Sequence, residues 1–156
     1  MENTLKQKLA AGAQPIGTFF DTASVSLMEC LGRTGLDFAI IDNEHSPIEA
    51  ETAEALAIIE DICAVDGVDG IFVGPFDLSI SMGMPGQFDA PEFQAAITRI
   101  VAACRAAGKY CMFFTGTADG VVDGFRKGFD AIAYSLDAAL FIQSVKRDVE
   151  DIRSRL

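Results

Sequence analysis

Two rhythms of apolar and polar positions alternate along the chain. Short continuous apolar runs at Ile16–Phe20, Phe38–Asp42, Ile71–Val73, Tyr110–Phe114 and Asp130–Tyr134 predict five buried strands. Between them, apolar residues return every three or four positions. This spacing predicts helices over Leu5–Ala13, over Val25, Leu27, Met28 and Leu31 as far as Gly32 or Gly35, and over Glu51–Ala64. Further helices are predicted over Phe93–Ala107, closed by Gly108, over Asp119–Lys127, capped by Gly128, and over Asp137–Arg155. Arginines gather at the end of the last helix, as the macrodipole favours. Its Phe141, Ile142 and Val145 suit either core packing or an oligomer contact. Strand and helix alternate five times, so the expected fold is α/β: a parallel sheet covered on both faces, in one domain over residues 1–156.

Composition narrows the class. The chain has 156 residues, half of them apolar, enough for a full core. Twelve basic and 23 acidic residues leave a net charge of −11, which opposes binding to nucleic acid or anionic lipid. No apolar run is long enough to span a membrane, and the N-terminus lacks the form of a secretory signal, so the expected location is the cytoplasm. Cys30, Cys63, Cys104 and Cys111 each sit among apolar neighbours with no metal-ligand spacing. They read as small buried residues in a reducing compartment.

The stretch Val68–Gly83 carries the clearest candidate chemistry. A strand stops at Gly74-Pro75, and Asp77 follows at the mouth of what reads as a long loop running on to Pro91. A carboxylate there suits a hard cation; it equally suits capping the short turn Leu78–Ser81. In parallel α/β folds, sites lie at the carboxyl ends of strands. The first strand ends near Asp21, and the second at Asp42, Glu44 and His45. His45, the lone histidine, fits a general base oriented by a carboxylate, or a surface loop residue with one local hydrogen bond. Glu51 with Asp77 fits an oxygen-rich site for Mg²⁺ or Mn²⁺, or is simply a first-turn helix acid. No phosphate loop, nucleophile elbow or dinucleotide fingerprint is present.

The motifs I-I-D-N-E-H-S-P at Ile40–Pro47 and V-D-G-V-D-G-I-F-V-G-P-F-D-L-S-I-S-M-G ending at Gly83 resemble those of the HpcH/HpaI aldolase family. The segments Glu29–Asp37, R-A-A-G-K from Arg105 and G-F-D-A-I-A from Gly128 extend the likeness. The resemblance implies a TIM-barrel-type fold and a metal-dependent lyase that cleaves or forms 2-keto-4-hydroxy acids through a pyruvate enolate. It implies Mg, Mn or Co as cofactor, pyruvate and an aldehyde as substrates, and a homo-oligomer. By position it implies His45 as base, Asp42 as its supporting acid, and Asp77 and Glu51 as metal ligands. The backbone N–H groups of Phe76 and Asp77 would face the pyruvate carboxylate.

The chain departs from the family in length. A TIM barrel takes roughly 250 residues and eight strands, and only five strands are visible. The three expected between the His45 motif and the E-T-A-E-A-L helix are replaced by a direct join, which places an internal deletion near residues 47–52. The arginine expected at the end of the third strand goes with them; Arg33, Arg99, Arg105 and Arg126 all fall in predicted helices. The alternative function is therefore a catalytically impaired remnant with a structural or oligomerising role.

Overall fold

A computed structural model describes residues 4–20, 25–41, 56–66 and 68–156. The helices are α1 (Thr4–Ala10), α2 (Val25–Leu31), α3 (Ile59–Ala64), α4 (Pro75–Ser81), α5 (Pro91–Ala106), α6 (Ala118–Lys127) and α7 (Asp137–Ser154). The strands are β1 (Ile16–Phe20), β2 (Phe38–Ile41), β3 (Gly70–Val73), β4 (Tyr110–Thr115) and β5 (Ala131–Leu136). All five expected strands form, each within two residues of its predicted bounds. One expected loop does not: Pro75–Ser81 is a helix, with Pro75 in its first turn, where the missing N–H costs nothing.

The strands form one sheet in the order β2-β1-β5-β4-β3, every pair parallel. This is the sequential order of a ring, β1 through β5 with β5 returning to β1, opened between β2 and β3. The sheet is also curled. Flat strands lie about 4.8 Å apart, so β1 and β3, three spacings removed, would be roughly 14 Å apart. Yet the rings of Phe19 on β1 and Phe72 on β3 meet edge to face with centroids 5.7 Å apart. Phe19 meets Phe114 on β4 at 5.6 Å. The fold is thus a curled half-barrel, an incomplete TIM-barrel type.

Curling separates the two faces. The convex face packs against helices and holds the core: Val73, Cys111 and Ile132 from the strands meet Phe93, Ile97, Ile100, Cys104 and Val121 from α5 and α6. The concave face carries Phe19, Phe38, Ile40, Phe72, Met112 and Phe114, all half-buried. The expectation of a sheet covered on both faces is corrected accordingly, because curvature turns one face into a barrel interior that these strands only partly enclose.

One local device recurs at the amino ends of the strands. Gly35-Leu36-Asp37 and Gly128-Phe129-Asp130 each pass from a helix end to a strand through a glycine of positive φ, +87° and +97°. In both, the aspartate grips the neighbouring strand twice. Asp37 N donates to Ile16 O (2.7 Å), and its Oδ2 accepts from Ile16 N (2.9 Å). Asp130 N donates to Cys111 O (2.7 Å), and its Oδ2 accepts from Cys111 N (2.8 Å). Lys8 pairs with Asp37 and, with the Ile16 amide, holds its carboxyl below the usual range. On the convex side, Arg99 of α5 grips Glu60 of α3 through two bonds, 2.9 and 2.6 Å. That pairing lowers the Glu60 pKa to about 2.

Replacing Asp130 with alanine removes a charged acceptor from a half-buried strand amide, and should destabilise the fold by about 1–3 kcal/mol in urea denaturation. The Glu60 pKa is depressed in the folded state, so its contribution is complete above the usual carboxylate pKa and lost as pH falls toward about 2. Glu60→Gln should lower Tm at pH 7, and the difference from wild type should shrink progressively below about pH 4.5 in a series of thermal melts.

Candidate active site

The carboxyl end of β3 is built around Gly74 and Asp77. β3 ends at Val73, Gly74 is the N-cap of α4, and Asp77 lies in the first helical turn. An acid there is favoured by the helix dipole. The side chain folds back toward the strand: a Cβ on Gly74 would lie 2.6 Å from Asp77 Oδ2. Glycine is therefore what lets the carboxylate lie over the strand end. Beyond α4, buried Ser79 ties the return of the chain, its Oγ donating to Phe76 O (2.7 Å) and accepting from Gly86 N (2.9 Å).

A cavity of about 380 Å³ runs along β3, lined by Phe19, Leu56, Ile59, Phe72, Gly74 and Asp77, with Ile71, Val73, Leu78 and Ile100. Among the described residues, Asp77 is its one carboxylate and the other lining side chains are uncharged. No ion pair involves Asp77 among the described residues. The Phe76 side chain is 55 % exposed and lines a different cavity with Phe88, Phe93 and Thr117. Its N–H and that of Asp77 fall in the first turn of α4, where no intrahelical acceptor exists.

His45, Asp42 and Glu51 lie outside the described residues, as does Asp21. The structure thus positions Asp77 and Phe76 of the five predicted site residues. Among the described residues no cluster of three or more His, Cys, Asp or Glu side chains is placed to hold a metal. Arg33 falls in a turn after α2 rather than in a helix. Arg99 is engaged with Glu60, Arg126 pairs with Asp123, and Arg105 packs over Gly128; none lines the Asp77 cavity.

Three cysteines are buried as expected, but Cys30 on α2 is exposed. Cys63 and Cys104 sulfurs lie 3.8 Å apart. Burial pushes the Cys104 thiol up to about 11 and that of Cys111 higher still, so both are protonated packing groups rather than nucleophiles.

The periodicity did not single out the carboxyl end of β5. Ser135 adopts φ 59°, the one non-glycine residue in left-handed backbone among those described, and β1 and β5 shift register there. Buried Thr18 donates to Ser135 O at 3.1 Å. Asp137 follows, 97 % buried at the start of α7, with Oδ1 accepting from Ala138 N at 2.7 Å. An acid opening a helix straight after a strand was the only signal in Ser135-Leu136-Asp137.

The family model for HpcH/HpaI aldolase/citrate lyase matches residues 48–144. The chain belongs to this family. A hydroxypyruvate/pyruvate aldolase of Cupriavidus necator is 35% identical over 108 residues, covering 69% of this chain and 40% of that protein. A 4-hydroxy-2-oxo-heptane-1,7-dioate aldolase of Salmonella paratyphi B is 48% identical over 62 residues, covering 40% of this chain and 24% of that protein. The chain thus spans less than half the length of the curated relatives it matches. A solved HpcH/HpaI aldolase/citrate lyase family protein from Burkholderia cenocepacia shares the fold with a TM-score of 0.84 at 20% identity, over 97% of this chain and 100% of that one. An HpcH/HpaI aldolase from Desulfitobacterium hafniense does so at 0.81 and 18%, over 96% of both chains.

Proposed function

We propose that the protein is a divalent-metal-dependent carbon–carbon lyase that cleaves or forms 2-keto-4-hydroxy acids through a pyruvate enolate. The observation that carries this reading is Asp77. In a chain of an aldolase family, it is the one carboxylate in an apolar cavity at a strand's carboxyl end, with no cationic side chain paired to it among the described residues. An unpaired oxygen donor of this kind fits a hard cation such as Mg²⁺, Mn²⁺ or Co²⁺.

Asp77 and Glu51 would hold the cation, which when bound supplies Lewis acidity at the keto oxygen of pyruvate. His45, oriented by Asp42, takes and returns the proton directly or through water. The N–H groups of Phe76 and Asp77 offer two donors to the substrate carboxylate. Phe19 and Phe72 in the cavity wall exclude water and strengthen polar contacts inside. The family's three further strands would fall in the gap between β2 and β3, next to this cavity.

Pyruvate released from a 4-hydroxy-2-keto acid is the direct readout. Activity should vanish with EDTA and return with Mn²⁺. His45→Ala should reduce kcat by ~10²–10⁴-fold, and Asp77→Asn should raise the Mn²⁺ concentration needed for half-maximal rate. Pyruvate release indifferent to EDTA, or unchanged in His45→Ala, refutes the mechanism.

A further inference from the structure

A second cavity opens at the carboxyl end of β4, on the other side of the first turn of α4 from the Asp77 cavity. It encloses about 480 Å³, which falls among small-molecule sites of ~300–1,000 Å³. Consecutive residues divide the two spaces: Pro75 and Phe76 line this one, and Asp77 lines the other. The proposed lyase chemistry makes no use of it.

Its aromatic side is exposed yet fixed. Phe76 and Phe88 both line the cavity while 55% and 40% exposed. Phe88 is held from two directions. Gln94 Nε2 donates to Phe88 O at 2.6 Å, and the Phe88 ring leans on buried Phe93 with centroids 5.5 Å apart. Phe113 also lines the cavity, itself stacked on Phe129 at 4.7 Å.

The other side is acidic. Helix α6 lies close against the sheet at Gly124, where a Cβ would meet Ile132 Cδ1 at 2.7 Å. The adjoining stripe of that helix, Asp119, Asp123 and Lys127 at intervals of four, lines the cavity. Asp89, just before α5, adds a third carboxylate. Lys127 is two turns along from Asp119, roughly 12 Å, so it leaves the acids largely uncompensated. Among the described residues Asp89 and Asp119 take part in no ion pair, and Asp123 pairs only with exposed Arg126 at 3.4 Å. The dipole of α6 accounts for Asp119 in its first turn. It does not account for Asp123 in mid-helix or for Asp89 outside the helix.

Aromatic faces and carboxylates attract the same class of ligand. The ring quadrupole draws a cation to its face, and the carboxylates add charge attraction. An anion would be repelled both here and by the chain's net charge of −11. Among the described residues no three acids converge to hold a metal ion. Dispersed carboxylates beside apolar rings suit instead a bulky cation of low charge density. We propose that this cavity binds a small organic cation with an apolar body, its ammonium group between the rings of Phe76 and Phe88 and the Asp119–Asp123 edge of α6.

Titration of the full chain with benzyltrimethylammonium, followed by calorimetry and by the phenylalanine ring resonances, tests this. The probe should bind saturably with a Kd of about 1 mM or tighter, and shift the Phe76 and Phe88 rings. Benzoate should not bind, and neutral benzyl alcohol should bind at least about fivefold more weakly. Phe88→Leu keeps apolar bulk but removes the ring face; it should weaken binding by about 2–30-fold, while Phe88→Trp should hold or tighten it. Asp119→Asn combined with Asp123→Asn should weaken it by about 2–5-fold. Asp77→Asn, in the neighbouring cavity, should bind the probe as wild type does. Far-UV circular dichroism checks that each variant is folded. No saturable binding up to about 20 mM, equal binding of benzyl alcohol, or wild-type affinity in Phe88→Leu overturns the site. Loss of binding in Asp77→Asn places the cation in the other cavity and overturns it equally.

Discussion

The contact between Phe19 and Phe72 is the constraint on which the architecture rests. Strands three places apart in a sheet do not bring their side chains together unless the sheet bends, and these rings touch with centroids 5.7 Å apart. Bending divides the molecule into a convex side, where helices bury Val73, Cys111 and Ile132, and a concave side lined with half-buried aromatics. It also gives the ring-like strand order its meaning: the first and last strands are neighbours, and among the described strands the break falls between β2 and β3. The small side chains of Ala131 and Ala133 on β5, fully buried, leave room for the rings to meet above them.

The two ends of the sheet are specialised by the same chain logic. At the amino ends, a left-handed glycine followed two residues later by aspartate fastens one strand to the next, at Asp37 and again at Asp130. Those carboxylates are spent on backbone amides and serve the fold. At the carboxyl end of β3, Gly74 instead clears space for a carboxylate that takes no such partner among the described residues, and Pro75 starts a helix that holds it over the strand. The Asp77 cavity runs along β3, the strand at the break, so the geometry of the site is tied to whatever adjoins that edge.

Strand and helix positions were legible because continuous apolar runs and Gly or Pro punctuation mark them directly; Ile16–Phe20 is reproduced residue for residue. Strand order and curl were not, since they depend on contacts such as Phe19 with Phe114 between distant segments. The family resemblance supplied what periodicity lacked. Helix α4 was missed because P-F-D-L-S-I-S is short and polar enough to read as loop, and its formation rests on Pro75 and the buried Ser79 hydroxyl. Apolar residues on α7 read the same whether buried or exposed, so the exposure of Phe141 and Ile142 could only come from coordinates. Of the site, Asp77 was legible from the Gly-Pro stop before it. His45, Asp42 and Glu51 took their roles from the resemblance and remain part of the proposal. Ser135 and Asp137 gave almost no signal, because left-handed backbone at a serine leaves no mark in composition or period.

The curled sheet itself is open to a single direct measurement. In protein with only phenylalanine rings protonated, nuclear Overhauser cross-peaks should connect the ring of Phe19 to the rings of both Phe72 and Phe114. Cross-peaks from Phe19 to neither ring would place β1 and β3 on a flat sheet, and would contradict the half-barrel on which the rest of this account stands.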